Sequence, residues 1–196
     1  MAVLMILEVE GGTTAQYDRV DELLGVVSAE NAPDGLISHT AAVTDTGLVV
    51  ADVWEAPEDM QRFFEAQLGA ALKEAGVEPS SPPRVLPVHN HLHGSGREEA
   101  VLVLVELDGM TAADYDALTA SMSAHAGDGS RHPAVSHVAA LTDTGLVAFD
   151  VWGSEEEFAK FGKEELAPRA GDMMAQMQPL FGRVHNRVDV KEPTQR

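Results

Sequence analysis

The apolar and polar positions of this chain alternate in blocks that change period. Val3 to Val9 is an almost continuous apolar run closed by Gly11-Gly12, which predicts a strand buried on both faces. Thr13 or Thr14 can then cap a helix in which Tyr17, Val20, Leu23, Leu24 and Val27 recur at helical spacing. After Asn31-Ala32-Pro33-Asp34-Gly35 a second strand runs from about Leu36 to Val43. A Thr-Asp-Thr-Gly turn separates it from a third, Leu48 to Trp54, so the two form a hairpin. Pro57 suits a first helical position and opens a second helix carrying Met60, Phe63, Phe64 and Leu68. Gly76 and Pro79-Ser80-Ser81-Pro82-Pro83 end it, and a fourth strand follows from Arg84 to Leu92. Pro87 cannot donate to a ladder, which predicts an edge there, or a junction where the strand leaves its own sheet.

The same order is then written again. Thr44 to Trp54 recurs as Thr142 to Trp152, an offset of 98 residues, and Val3–Leu68 falls on Val101–Leu166 without a gap, roughly a third of positions being identical. In the second copy Val101 to Leu107 is the first strand. Tyr115, Leu118 and Met122 mark the first helix, and Ser154-Glu155-Glu156-Glu157 caps a helix carrying Phe158, Phe161 and Leu166. Here Pro168 and later Pro179 end the second helix. Arg183 to Val190 answers the fourth strand.

Each half therefore reads strand, helix, strand, strand, helix, strand, a ferredoxin-like α+β unit with both helices on one sheet face. The expected boundaries are 1–93 for the first repeat, 94–98 for a linker containing Gly94-Ser95-Gly96, and 99–192 for the second. Units of that size have marginal cores, and the bare sheet face needs a cover. The reading is an intramolecular pseudo-dimer, packed sheet to sheet in a barrel-like core, with further homo-oligomers left open.

Composition narrows the partners. Thirteen basic against thirty-two acidic residues give a formal charge of -19, which repels phosphate backbones and anionic lipid surfaces, so neither nucleic acid nor membrane is expected. Without cysteine there is no disulfide framework and no thiol nucleophile, as suits a reducing cytoplasm. The start lacks a basic region, and its apolar run is too short for a signal or a span.

Several side chains are candidates for chemistry. His39 and His137 occupy equivalent places on the two second strands. A two-residue turn sets them opposite Asp52 and Asp150, giving imidazoles whose pKa a carboxylate raises, fit to act as general bases. A three-residue turn using Gly47 or Gly145 instead sets His39 across from Val53, and both registers stay open at this level. Asn90 and Asn186 lie on apolar strand faces, either satisfied by backbone or offering donors to an oxyanion. Trp54 and Trp152 either wall an aromatic-ligand pocket or cap the core. Tyr17 and Tyr115 read as packing residues with surface hydroxyls. His89, His91 and His93 have the alternate spacing of metal-binding imidazoles, but the other half has His185, Arg187 and Asp189 there, and no metal is assigned. No phosphate loop, nucleotide fingerprint or Ser-His-Asp arrangement is present.

Asp52-Val53-Trp54-Glu55-Ala56-Pro57-Glu58 with Phe63, its twin Asp150-Val151-Trp152-Gly153-Ser154-Glu155-Glu156 with Phe158 and Phe161, and the closing Pro87-Val88-His89-Asn90 and Val184-His185-Asn186 together resemble the antibiotic biosynthesis monooxygenase-like branch of the dimeric α+β barrel superfamily. The resemblance implies the fold and a pocket between helices and sheet in each unit. It implies no cofactor, and a small aromatic or hydrophobic molecule as partner. His39 or His137 would take a proton, Asn90 or Asn186 would steady the oxyanion, and Trp54, Trp152, Asp52, Asp150, Tyr17, Tyr115, Phe63 and Phe161 would surround the substrate. Heme-degrading relatives carry a tryptophan on the second helix and a ligating histidine about ten residues on. Here the positions hold Phe63 or Phe161, then Lys73-Glu74 or Gly171-Asp172. The competing readings are a protein that sequesters a small hydrophobic molecule without turnover, and a fold kept for assembly.

Overall fold

The computed structural model describes residues 1–25, 27–93, 100–126, 133–170 and 177–190. The expected linker lies outside them, as do Gly171 and Asp172. The fold is α+β, with eight strands in antiparallel pairings: β1 (Val3–Glu10), β2 (Leu36–Val43), β3 (Gly47–Trp54), β4 (Arg84–His93), β5 (Val101–Asp108), β6 (Ser136–Leu141), β7 (Gly145–Trp152) and β8 (Leu180–Asp189). Among the described residues no helix is long and apolar enough to cross a membrane.

Two compact units emerge. The first comprises Met1–Val88 with the closing strand from Gly182, and the second runs over His89–Phe181. The division thus falls inside β4 and near the start of β8. In the first unit β1 pairs with β3 from Val3↔Trp54 to Glu10↔Gly47, β3 with β2, β2 with β8, and β1 with β4 up to Val3↔Pro87. Val88 N–H donates to Ala2 O at 3.0 Å and closes that ladder, one residue before the unit ends. Pro87 stands at the junction its missing N–H calls for. In the second unit β5 pairs with β7 from Val101↔Trp152 to Asp108↔Gly145, and β7 with β6.

Both hairpins adopt the two-residue turn, so His39 faces Asp52 and His137 faces Asp150. The glycine of each turn is required by a close approach rather than by the wider loop. A Cβ on Gly47 would lie 2.1 Å from the Val9 carbonyl oxygen and one on Gly145 2.2 Å from that of Leu107. The repeated Thr-Asp-Thr-Gly is the sequence trace of that contact.

Helix α1 (Thr14–Leu24) is held at its start by a capping box in which Thr13 and Gln16 satisfy each other's backbone N–H, and it ends at Gly25 with φ 89°. Its counterpart α4 spans Ala112–Ala126. The second helices are each interrupted at the same place. α2 (Pro57–Phe63) passes through a π-helical turn, Phe64–Leu68, into α3 (Gly69–Glu74), and α5 (Glu155–Phe161) through Gly162–Leu166 into α6 (Ala167–Ala170). The wider turn rotates the helix face, and Phe64, expected among the buried residues, is 42% exposed while Phe63 stays against Trp54. Pro168 sits inside the first turn of α6 rather than ending the helix.

The first core divides around Val9, Leu48 and Leu72 and around Met5, Leu36 and Trp54; the second gathers Val103, Tyr115, Leu146 and Trp152.

Candidate functional site

In the first unit the α1 face formed by Gln16, Tyr17, Val20, Asp21 and Leu24 lies over β1 and β3, and between them is a cavity of about 90 Å³. Its wall is apolar, with Met5, Leu7, Val50, Trp54, Phe63 and Leu72 among the lining residues. One part of the wall is polar. There Asp52 Oδ1 accepts from His39 Nδ1–H at 2.7 Å, and His39 Nε2 accepts from the Tyr17 hydroxyl at 2.7 Å. The Tyr17 oxygen in turn accepts from Asn186 Nδ2–H at 2.8 Å. Since a carboxylate only accepts, this chain of donors fixes the imidazole with its proton on Nδ1. Tyr17 and His39 also stack, their ring centres 5.8 Å apart at 21°.

The second unit repeats the arrangement. His137 Nδ1–H donates to Asp150 at 2.5 Å, the Tyr115 hydroxyl to His137 Nε2 at 2.6 Å, and Asn90 Nδ2–H to the Tyr115 oxygen at 2.9 Å. A cavity of about 70 Å³ adjoins it, lined by Leu107, Met110, Leu118, Phe158, Phe161 and Met177 among others.

One sequence expectation is corrected here. The tyrosine hydroxyls do not face the surface: each stands in the relay between histidine and asparagine, because the helix aims the tip of the ring at the strand histidine. The asparagine of each relay comes from the other half of the sequence. His39 works with Asn186 and His137 with Asn90, because β8 pairs with β2 and brings the end of the chain to the first site.

Pairing of β8 with β2 slips between Ala41↔Asn186 and Ala42↔Val184, leaving His185 as the extra residue of a bulge. Neighbouring strand residues ordinarily point to opposite faces, and a bulge re-aims them. His185 accordingly joins Asn186 at Tyr17. Its ring meets the Tyr17 ring edge-on at 5.4 Å, and Nε2–H donates to Asp18 at 2.6 Å. His89 does the same with Tyr115, at 5.5 Å, and with Asp116, at 2.7 Å. Sequence reasoning missed these outer pairs, although Tyr-Asp and His-Asn dipeptides in both halves were the available signal. His89 is thus engaged with a helix carboxylate, and no group of three metal-ligating side chains forms among the described residues.

The electrostatics follow from burial and these contacts. Burial opposes protonation of His39, but the charge and hydrogen bond of Asp52, with a contribution from Asp21, outweigh it and raise its pKa above the ordinary histidine value. Burial drives the Tyr17 hydroxyl upward against the pull of Asn186, and Asp21, Asp52 and Asp18 add to the rise. Tyr115 is pushed up to about 12 by burial, against Asn90, with Asp150 and Asp116 adding. Such tyrosines stay protonated at neutral pH, so each can pass a proton while the histidine is the base.

Trp54 and Trp152 are both 1% exposed but differ in surroundings. Trp54 lines its cavity beside Phe63, and its indole N–H is buried without a partner among the described residues. Trp152 is screened from the second cavity by Phe158 and Phe161, with ring centres 5.7 and 5.2 Å away.

No family model matches this chain, and no curated protein matches it in sequence. Solved structures do match along almost its whole length. A candidate monooxygenase of Fusobacterium nucleatum superposes with a TM-score of 0.67 at 8% identity, covering 98% of this chain and 95% of that one. An anthrone oxidase-like protein gives 0.56 at 16% identity, covering 97% and 93%. A chlorite dismutase variant from Candidatus Nitrospira defluvii gives 0.59 at 11% identity, covering 94% and 91%. At these identities the likeness is one of fold, and neighbours with such different names show that the fold does not select the chemistry. The chain shares the fold of these solved structures.

Proposed function

We infer that this chain is a fused pair of antibiotic biosynthesis monooxygenase-like units and that it oxidises a small phenolic molecule without a bound cofactor. The observation that carries this reading is the Asp–His–Tyr–Asn relay opening onto a mostly apolar cavity. A phenol whose hydroxyl reaches Tyr17 gives its proton to the tyrosine oxygen as the Tyr17 proton passes to His39 Nε2, and Asp52 steadies the imidazolium. The Asn186 N–H offers a donor beside the oxygen where charge develops. The phenolate is electron-rich enough to be attacked by dioxygen at the para carbon. One oxygen atom stays as a new carbonyl, the other leaves as water, and the para hydrogen and hydroxyl proton are lost, so the ring supplies all four electrons and becomes a quinone. The cavity of about 90 Å³ is smaller than the about 150 Å³ that encloses benzene in an engineered core, so even a single ring needs its wall side chains to give, and a fused tricycle needs far more.

Oxygen consumption with single-ring phenols that have a free para position tests this. His39→Ala is expected to lower the rate by about 10²-fold or more, the usual worth of a placed base. Turnover unchanged in His39→Ala and in the double variant with His137→Ala would remove the relay from the chemistry. Binding with no oxygen uptake by the parent would leave a sequestering protein.

A further inference from the structure

The relay accounts for His39, Asp52, Tyr17 and Asn186, but not for a second carboxylate in the same cavity. Asp21 stands one turn beyond Tyr17 on α1 and lines the wall. Its Oδ1 accepts the Val27 N–H at 2.9 Å, which holds the side chain in place, and its charge is felt at His39 and Tyr17. Among the described residues no lysine or arginine lines either cavity. At the equivalent place in the second cavity stands Thr119, whose hydroxyl is spent on the Tyr115 backbone carbonyl at 3.0 Å. The first cavity also has Trp54 in its wall, whereas Trp152 is not among the described residues lining the second, where Phe161 answers Phe63.

A carboxylate and aromatic rings around a small apolar space are what an organic ammonium group needs: a counter-charge, and ring faces whose quadrupole attracts a cation. The same wall repels an anion. The formal charge of -19 works in the same direction at long range, concentrating cations near the protein.

We propose that the first cavity selects an aromatic molecule that bears a protonated amine, with Asp21 as the residue that reads the amine. This rests on the reading of the cavity as a phenol site and names the class of phenol. Asp21 is a specificity residue and takes no part in the proton relay.

The test compares three single-ring phenols of similar size: tyramine, which is a cation, 4-ethylphenol, which is neutral, and 4-hydroxyphenylacetate, an anion. Tyr17 and Tyr115 are the only tyrosines, so ring-labelled ¹³C-tyrosine reports each site by its own NMR signal in the intact chain. Titrations read on Tyr17 should show tyramine binding about tenfold or more tighter than 4-ethylphenol, equivalent to one charge-assisted contact, with the anion weakest. In Asp21→Asn, which keeps an oxygen for the Val27 N–H, the gap between tyramine and 4-ethylphenol should close. Equal affinities in the parent, a gap that survives Asp21→Asn, or the same preference at Tyr115 would each overturn the proposal. Binding of 4-ethylphenol in those cases would leave the phenol-site reading standing, whereas failure of all three probes to move Tyr17 would remove that reading and this one together.

Discussion

The two sites hold the same four relay groups at nearly the same distances, yet one is more open and the other more filled. In the first, the His39 side chain is 15% exposed, Trp54 forms part of the wall and Asp21 adds a charge. In the second, Tyr115 is 4% exposed, three phenylalanines crowd around Trp152 or one another, and Thr119 is neutral. Polar geometry is maintained by strand register and a two-residue clasp, Tyr-Asp on the helix against His-Asn on the strand. Cavity contents depend on individual side chains such as Met60 against Phe158, which can change without moving the relay. The relay alone does not set what surrounds it, and the cavity beside the first relay is the larger of the two, about 90 against about 70 Å³.

That contrast can be broken most forcefully at the carboxylates. Asp150→Ala leaves the buried His137 Nδ1–H without its charged acceptor, so urea unfolding should show a loss of up to about 3 kcal/mol. Asp52→Ala should cost less, because His39 has more access to water and Asp21 remains nearby; equal losses would mean the sites are alike in burial. The tyrosines give a smaller and more specific reading. Tyr115→Phe leaves His137 Nε2 and the Asn90 amide unpaired where water is scarce, for about 1–3 kcal/mol, whereas Tyr17→Phe should cost less than about 1 kcal/mol. Tyr17→Phe as costly as Tyr115→Phe would argue against a wetter first site.

The smallest effect is on pH. Because the folded His39 pKa is raised, its protonation favours the fold: that contribution is complete below the unfolded value near 6.5 and is lost as pH rises through the folded value. Unfolding free energy measured upward from about pH 6 should fall across that window, and His39→Gln should flatten this part of the curve. A slope unchanged in the variant would assign the titration to another group.

Much of this was legible before any coordinates. Apolar runs of period two and helical spacing located the strands and helices, and the repeated turn placed each histidine at an aspartate once the register resolved. The choice of register depended on how near Val9 O and Leu107 O come to the turn glycines, a contact between distant segments that no local pattern contains. The Asn186 assignment was hidden for a similar reason: β2 and β8 lie at opposite ends of the chain. The outer histidine was masked by alternation, which sends His185 to the wrong face until a bulge is allowed. Helical periodicity turned Tyr17 toward the sheet but is silent about where a hydroxyl at the end of a ring will stop.

The crossing of asparagines carries a practical message for anyone cutting the gene. A fragment ending at residue 93 has His39, Asp52 and Tyr17 without the amide that completes them, and one starting at residue 99 lacks Asn90 in the same way. Neither piece alone would make a faithful miniature, and ligand binding should return only when both are mixed, which makes complementation of the two fragments a natural assay for the completed sites.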